Sequence, residues 1–567
     1  MYRLLPALAL TCSSVALAHD HAPQAAPPAA PAAPQATLAQ RNAAATAPLP
    51  EDQAAMKSHI LFLASDAMKG REAGSPEYDI AAQYVASQFF AAGLKPGGDQ
   101  GGYLQRVPLL GYKLDGQGTA GWTPRGGGAQ PLVFGQDFIP FPVATSATTE
   151  VSAPVVFAGW GIDAPRYGHR DFEGVDVRGK IVAVFGGAPA RFEGEERAFF
   201  GTPGTKAVAA AARGAVGMVL VDSPLAANRR PFSGLAASAT RPRYTWAKPD
   251  GTGKVDAPGT PQLGTLSLAG AAKVFGPAWA RVAEQAKDEN ARFRPLEPAG
   301  TLAVATRTTF TPVESSNVVG LIPGADPKLS QEVVVLSAHL DHIGVNPTGP
   351  ENDKGVDRIN NGALDNAMGI ASLIEEAKRF KADPKPARRT VMFLAVTAEE
   401  KGLIGADYFV NNPTVPAETI VADVNLDMPI LTYRFEDMIV FGADRSTLGP
   451  IVRRAVSQLG VGMSPDPIPE QGIFVRSDHF RFVQKGVPSV FLWPGQKGPG
   501  KAAYDRFFAD CYHKPCDEVT GPIDWSQGPR FVSVNYAIAR EIADADQRPV
   551  WNKGDYFGTL YKGVMAR

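Results

Sequence analysis

Short apolar runs alternating with helix-period segments over residues 306–567 predict an α/β protein whose mixed central sheet is flanked by helices. A β-rich insertion, punctuated by Gly and Pro, precedes them. Val333 to Leu336 is a continuous apolar run, as expected of a strand buried on both faces. Composition agrees: of 567 residues, 44% are hydrophobic and 20% charged, enough for a large core. Lys and Arg number 56 against 57 Asp and Glu, for a net charge of -1. That balance does not suit a protein built to neutralise phosphates, so no nucleic-acid partner is expected. Beyond the N-terminus no stretch approaches the roughly 18 apolar residues of a spanning helix, so no membrane span is expected either.

The elements follow in order. Met1-Tyr2-Arg3 carries one positive charge, Leu4 to Val15 is largely apolar, and Ala16-Leu17-Ala18 is a small-x-small cleavage site, which together read as a signal peptide over 1–18. From Ala22 to Pro50 there are thirteen Ala and seven Pro, a composition that cannot build a core, so 19–50 reads as a disordered tether. The expectation is an exported protein, periplasmic or secreted. Cys12 is a poor lipid anchor, because Ala9-Leu10-Thr11 is a poor match to the small residues such anchors need. Export leaves Cys511 and Cys516. Two cysteines cannot close a zinc site, so a disulfide or two free thiols remain, and an oxidising compartment favours the disulfide.

Residues 51–145 form the first part of the main domain, with helices marked by Met56, Ile60, Leu61 and Leu63 and by Ile80, Tyr84, Val85 and Phe89. Gly93 and Pro96 stop the second. The insertion, 146–305, shows strands at Val155–Phe157, Ile181–Phe185 and Met218–Val221 with an Ala-rich helix from Lys206 to Arg213. In 306–567, strands Val391–Val396 and Ile420–Leu426 alternate with helices Asn366–Phe380 and Ile404–Val410.

Functional groups in such sheets gather at the carboxyl ends of strands. There the sequence places His339-Leu-Asp341-His342, then Asp365-Asn-Ala-Met-Gly369, Glu399-Glu400, and Asn425-Leu-Asp427, with Ser477-Asp478-His479 and Tyr512-His513 further on. Each piece has a plainer reading. Asp365 can be a helix N-cap, and Glu399-Glu400 can be solvated charge at a helix start. Asp427, in an apolar run, needs a partner if buried. Of eight histidines, two lie in the tether and four in or beside these motifs. Together the imidazoles and carboxylates are what a pair of zinc ions takes, one carboxylate bridging.

On those motifs the chain resembles the co-catalytic di-zinc peptidases of metallopeptidase family twenty-eight, which include bacterial leucyl aminopeptidases and glutamate carboxypeptidase II. The stretch Val177-Arg-Gly-Lys180-Ile-Val182 with Arg213-Gly-Ala-Val-Gly217 resembles the protease-associated domain that some members carry, and Leu63-Ala-Ser-Asp66 with Gly70-Arg71 is similar to the start of their catalytic domains. The resemblance implies a zinc-peptidase, phosphorylase/hydrolase-like fold and two Zn2+ ions. His339 and Asp427 would hold one, Glu400 and His513 the other, and Asp365 would bridge. It implies Glu399 as general base, Asp341 as the carboxylate accepting the other N–H of His339, and Tyr512 as a donor to the developing oxyanion. Arg476, Asp478 and His479 are expected in or near the pocket. Peptides are the expected substrates.

A sister binuclear family typically has Asp-x-Lys-Gly where this chain has Asp365-Asn-Ala-Met-Gly369. A glutaminyl-cyclase-like transferase uses one zinc and lacks the first histidine, which His339 supplies here. A non-catalytic binding relative would have lost ligands that this chain retains. Between exopeptidases, analogy favours an aminopeptidase. A carboxypeptidase needs a cation for the substrate carboxylate, for which Arg358 and Arg476 are candidates. The insertion is expected to act as a lid or substrate-restricting surface, or else as a structural module.

Overall fold

The computed structural model describes residues 37–192, 194–229, 231–346 and 356–567. The expected signal peptide and most of the expected tether lie outside them. Within the tether's last part the chain is a helix, Leu38–Thr46, rather than extended. Thr37 and Gln40 form a reciprocal capping box ahead of a run rich in alanine, the best helix former. No helix among the described residues is long and apolar enough to cross a membrane.

Glu51–Leu63 and Pro76–Ala91 are the two early helices. The second buries Tyr78, Ala81, Ala82, Val85 and Phe89, and Ile80 faces outward, 52% exposed. The sequence pattern includes Ile80 because its spacing to Tyr84 is helical, but the buried stripe lies one residue over. Gly93 adopts φ +75 after this helix, as the expected stop requires.

The main sheet is mixed. Its strands run in the order Arg243–Trp246, Leu104–Leu114, Gly300–Ile322, Thr390–Val396, Val333–His339, Ile420–Leu426, Ser489–Pro494, Asp437–Phe441 and Gly462–Ser464. The central four, from Thr390–Val396 to Ser489–Pro494, are parallel, with antiparallel pairs on either side. Val333–His339 and Ile420–Leu426 are buried along their whole length; the first opens with the apolar run Val333 to Leu336, and the second buries Asp423 and Asn425 among apolar neighbours. Helices Met368–Ala382 and Gln527–Asp544 pack together on this sheet.

A separate five-stranded sheet takes four strands from the 146–305 insertion and one, Phe138–Pro140, from just ahead of its expected start. The order is Phe138–Pro140, Gln262–Leu266, Gly217–Val221, Ile181–Phe185, Val155–Phe157, mostly parallel. Helices Gly194–Gly201 and Pro203–Ala211 connect two of its strands, as a parallel crossover demands. Strand Gly300–Ile322 is 23 residues long and continuous across residue 305. Its first third pairs with Thr119–Pro124 and Thr148–Ala153, and the remainder pairs with Leu104–Leu114 and Thr390–Val396.

Candidate metal centre

The parallel strands deliver the expected groups to one end of the sheet. His339 closes Val333–His339. Glu399 and Glu400 follow Thr390–Val396, and Asp427 follows Ile420–Leu426. Asp365 lies in a distorted turn, Ala363–Ala367, that feeds helix Met368–Ala382. His513 sits in the loop after helix Gly500–Asp510, between Cys511 and Cys516, which are joined by a disulfide with Cα atoms 5.0 Å apart. Ala398, Met428 and His513 all have positive φ, at 53, 46 and 56, and such backbone is found where surrounding structure holds functional groups in place.

Asp365 is the centre of the cluster. Its Oδ1 lies 3.3 Å from His339 Nε2, and its Oδ2 lies 3.3 Å from His513 Nε2. On the first side His339 Nε2 is also 3.0 Å from Asp427 Oδ1. On the second, His513 Nε2 is 3.2 Å from Glu400 Oε2. The ligand atoms of His339, Asp365 and Asp427 form one compact set able to hold an ion, and those of His342, Asp365 and Glu400 form another. His342, given no role by the sequence reading, places Nδ1 2.8 Å from Glu400 Oε1.

The electrostatics follow from burial and crowding. Burial, reinforced by the Asp427 and Glu400 charges, pushes the Glu399 carboxyl well above its ordinary range. Burial opposes charge on Asp365 as well, but its contacts with His339 and His513 prevail and hold it well below. Burial disfavours charge on His339 and His513. The surrounding carboxylates outweigh it, raising His339 well above the usual value and His513 to about 10. Imidazoles driven toward the cationic form by a ring of carboxylates mark a place where a bound cation replaces protons. The donors are imidazole nitrogens and carboxylate oxygens, which suits zinc. Glu400 Oε1 and both His342 ring nitrogens have no well-directed hydrogen bond among the described residues, so the donor set has capacity for ions.

Asp341 differs from its expected role. His339 Nδ1 meets the backbone carbonyl of Asp341, 3.1 Å away. The carboxylate instead accepts the Glu399 N–H at 3.0 Å and the Glu400 N–H at 3.4 Å. It fixes the turn that aims the two glutamates. Tyr512 stacks on His513 with ring centroids 3.9 Å apart and lines the same cavity, of about 190 Å³. Arg476 lines this cavity too. Asp478 and His479 do not: both are fully buried behind it, His479 between the rings of Phe474 and Phe491, and burial raises Asp478 to about 8. Arg358 is engaged with the Asn346 carbonyl and is not on the cavity.

Sequence reading missed the residues that hold the ligands. Asp517 accepts the Leu364 N–H at 2.9 Å and the Asp365 N–H at 3.0 Å. The buried Arg71 guanidinium donates to the carbonyls of Leu63, Leu340, Asn361, Gly362 and Asp365. Ser477 donates to Asp427 Oδ2 at 2.6 Å and accepts from Asn425. The signals were a charged residue beside Gly70, an Asp at the end of the cysteine loop, and the Ser477-Asp478-His479 motif, in which Ser477 was given no role.

Residues 317–539 match the family model for peptidase family M28, and 151–246 match that for the PA domain. The leupeptin-inactivating enzyme 1 of Streptomyces exfoliatus is 29% identical over 259 residues, 43% of this chain and 52% of that protein. Aminopeptidase Y of Saccharomyces cerevisiae is 23% identical over 240 residues, 41% of this chain and 39% of that protein. The chain thus spans about half or less of the length of these curated relatives. Among solved structures, an aminopeptidase from Aneurinibacillus sp. strain AM-1 is similar with a TM-score of 0.48 and 19% identity, over 88% of this chain and 95% of that one.

Proposed function

We propose that this chain, whose residues 317–539 match the model for peptidase family M28 and 151–246 that for the PA domain, is an exported zinc aminopeptidase, removing N-terminal residues from peptides. The observation that carries the reading is Asp365, whose two oxygens face two separate sets of imidazole and carboxylate donors. His339 and Asp427 would hold one zinc, Glu400 and His513 the other, with Asp365 shared. When bound, zinc lowers the pKa of water toward about 7 and polarises the scissile carbonyl.

The chain's own residues do the rest. Glu399, on the cavity beside the donors, takes the proton of the attacking water and returns it to the leaving amine. Asp341 holds the Glu399–Glu400 turn so that one glutamate faces the donors while its neighbour faces the substrate. Tyr512 is poised to donate to the developing oxyanion.

The choice of substrate end is supported by charge. Beyond the carboxylates proposed to hold zinc, Glu399 and Asp505 line the cavity, against one guanidinium, Arg476. That balance welcomes an ammonium more than a carboxylate. Export is supported by the Met1–Ala18 pattern and by the Cys511–Cys516 disulfide. The deciding assay sets amino-acid 4-nitroanilides against N-blocked peptides bearing a free carboxylate, with and without chelator. Chelator-sensitive cleavage of the free-amine set alone is expected. Cleavage of the N-blocked set alone would make the protein a carboxypeptidase, with Arg476 as the anchor.

A further inference from the structure

One wall of the substrate cavity has little structure of its own. Ile468, Gln471, Ile473 and Arg476 line it, and they come from a segment built of two single 3₁₀ turns, Pro469–Gln471 and Ile473–Val475. Such turns have poorer hydrogen bonding than a helix and rely on what lies behind them. Behind them lies the insertion's helix Gly194–Gly201, which packs on both turns. The approach is close: a Cβ at Gly472, which has φ +65, would stand 2.9 Å from the Ala198 Cβ.

Besides the aromatic contacts of Phe199 and Phe200, charged side chains fasten that helix to the main domain. Arg445, in the turn after strand Asp437–Phe441, donates to Glu195 through Nε. Its Nη1 and Nη2 reach the two oxygens of Glu196 at 3.0 and 2.6 Å, and Nη1 also reaches Asp555 Oδ2 at 3.1 Å. Glu195 Oε1 accepts the Gly442 N–H at 3.0 Å. The guanidinium lies over the Phe557 ring, 4.8 Å from its centroid, and Phe199 meets the same ring edge-on at 5.5 Å. Forked, partly buried pairing of this kind fixes orientation as well as distance.

We propose that Arg445 and the Glu195–Glu196 pair form a latch through which the inserted domain sets the position of the 468–476 wall, and with it the size of substrate side chain admitted beside the scissile bond. These are positioning residues: none lines the cavity or touches the metal donors. The substrate consequence rests on the aminopeptidase reading. With the latch closed, the wall is backed by Ala198 and discriminates between side chains. Released, the wall yields, and small and large residues are treated more alike.

The test uses the full-length, zinc-loaded protein carrying Glu195→Gln together with Glu196→Gln, assayed on the 4-nitroanilides of Ala, Leu and Phe. The ratio of kcat/KM for the best of the three to the worst should fall about tenfold, mainly through KM, with zinc content unchanged. Hydrogen exchange over 468–476 should quicken while Val333–His339 stays protected. An unchanged ratio, or an equal loss on all three substrates, overturns the proposal even if exchange quickens. Should the wild type cleave no free-amine substrate, the aminopeptidase reading fails, and exchange alone judges the latch: unchanged exchange overturns it. If the double variant does not fold, Glu195→Gln alone, which weakens the Arg445 Nε pair and leaves Glu196 in place, is put through the same measurements. It should lower the ratio in the same direction; an unchanged ratio overturns the proposal.

Discussion

Two adjacent glutamates of the same type are assigned different work. Successive side chains leave an extended backbone in different directions, and here the turn after Val396 is held by Asp341 through both amides. Glu399→Gln should fold, keep two metal ions per chain and lose activity about 10² to 10⁴-fold, the usual worth of general-base help. Glu400→Ala should instead lose one ion preferentially. Metal analysis beside turnover decides, and full metal content in Glu400→Ala would reassign the pair. The same measurement separates the two histidines that face Glu400. His513 also contacts Asp365 closely, at 3.3 Å, whereas His342 Nδ1 is 4.0 Å from it. His513→Ala should therefore lose the second ion, and His342→Ala should retain it with weaker affinity.

At the scale of elements, the sequence exposed what local pattern can expose. Ile181–Phe185 is legible to the residue because a strand covered on both faces favours apolar side chains throughout, and Ile420–Leu426 is legible although Asp423 and Asn425 interrupt its apolar run. Three of the five expected donors, His339, Glu400 and Asp427, were legible because they stand at strand ends, where topology gathers function. Asp365 and His513, beside helices, were legible only through the motifs around them. The supports were not. Arg71 reaches carbonyls from Leu63 to Asp365, and Asp517 reaches amides that precede it by more than a hundred residues. A side chain that binds main chain far away leaves no spacing to recognise. Asp341 was misassigned for the same reason: its partners are backbone amides. Ile80 shows the other limit, since helical spacing alone does not say which stripe faces in. The support is testable. Asp517→Asn puts an amide NH₂ against one of two N–H groups, leaving a buried donor unsatisfied at a cost of about 1–3 kcal/mol. It should lower the denaturation midpoint and weaken retention of both ions, since Asp365 faces both donor sets. An unchanged midpoint with full metal would show the Asp365 turn to be held by other contacts.

For the whole molecule, the insertion is woven into the rest. Its strand Arg243–Trp246 pairs with Leu104–Leu114, and Trp246 donates to Asp407 at 2.6 Å. Phe199 stacks among Phe480, Tyr556 and Phe557. Excision of 146–305 would uncover those rings, strip an edge strand and leave Arg445 with one of its three carboxylate partners. The excised core is therefore expected to aggregate. Size-exclusion chromatography and circular dichroism of that protein check this, and recovery of a folded monomer that binds metal would show the two parts to be separable. The continuous strand Gly300–Ile322 predicts the same unity in the intact protein: calorimetry should show one cooperative transition in place of two.

The order in which the candidate ligands occur along the chain has a consequence for how the protein is born. His339, Asp365, Glu400 and Asp427 come first, and His513 arrives last, on the loop clipped by Cys511 and Cys516. Chains emerge from the ribosome N-terminus first, so one donor set can assemble while the other still waits for its final member. A chain broken before residue 513 keeps His339, Asp365 and Asp427, one whole donor set, and lacks the last histidine of the other. The proposed activity, which needs both sets, is then withheld until that final donor is in place.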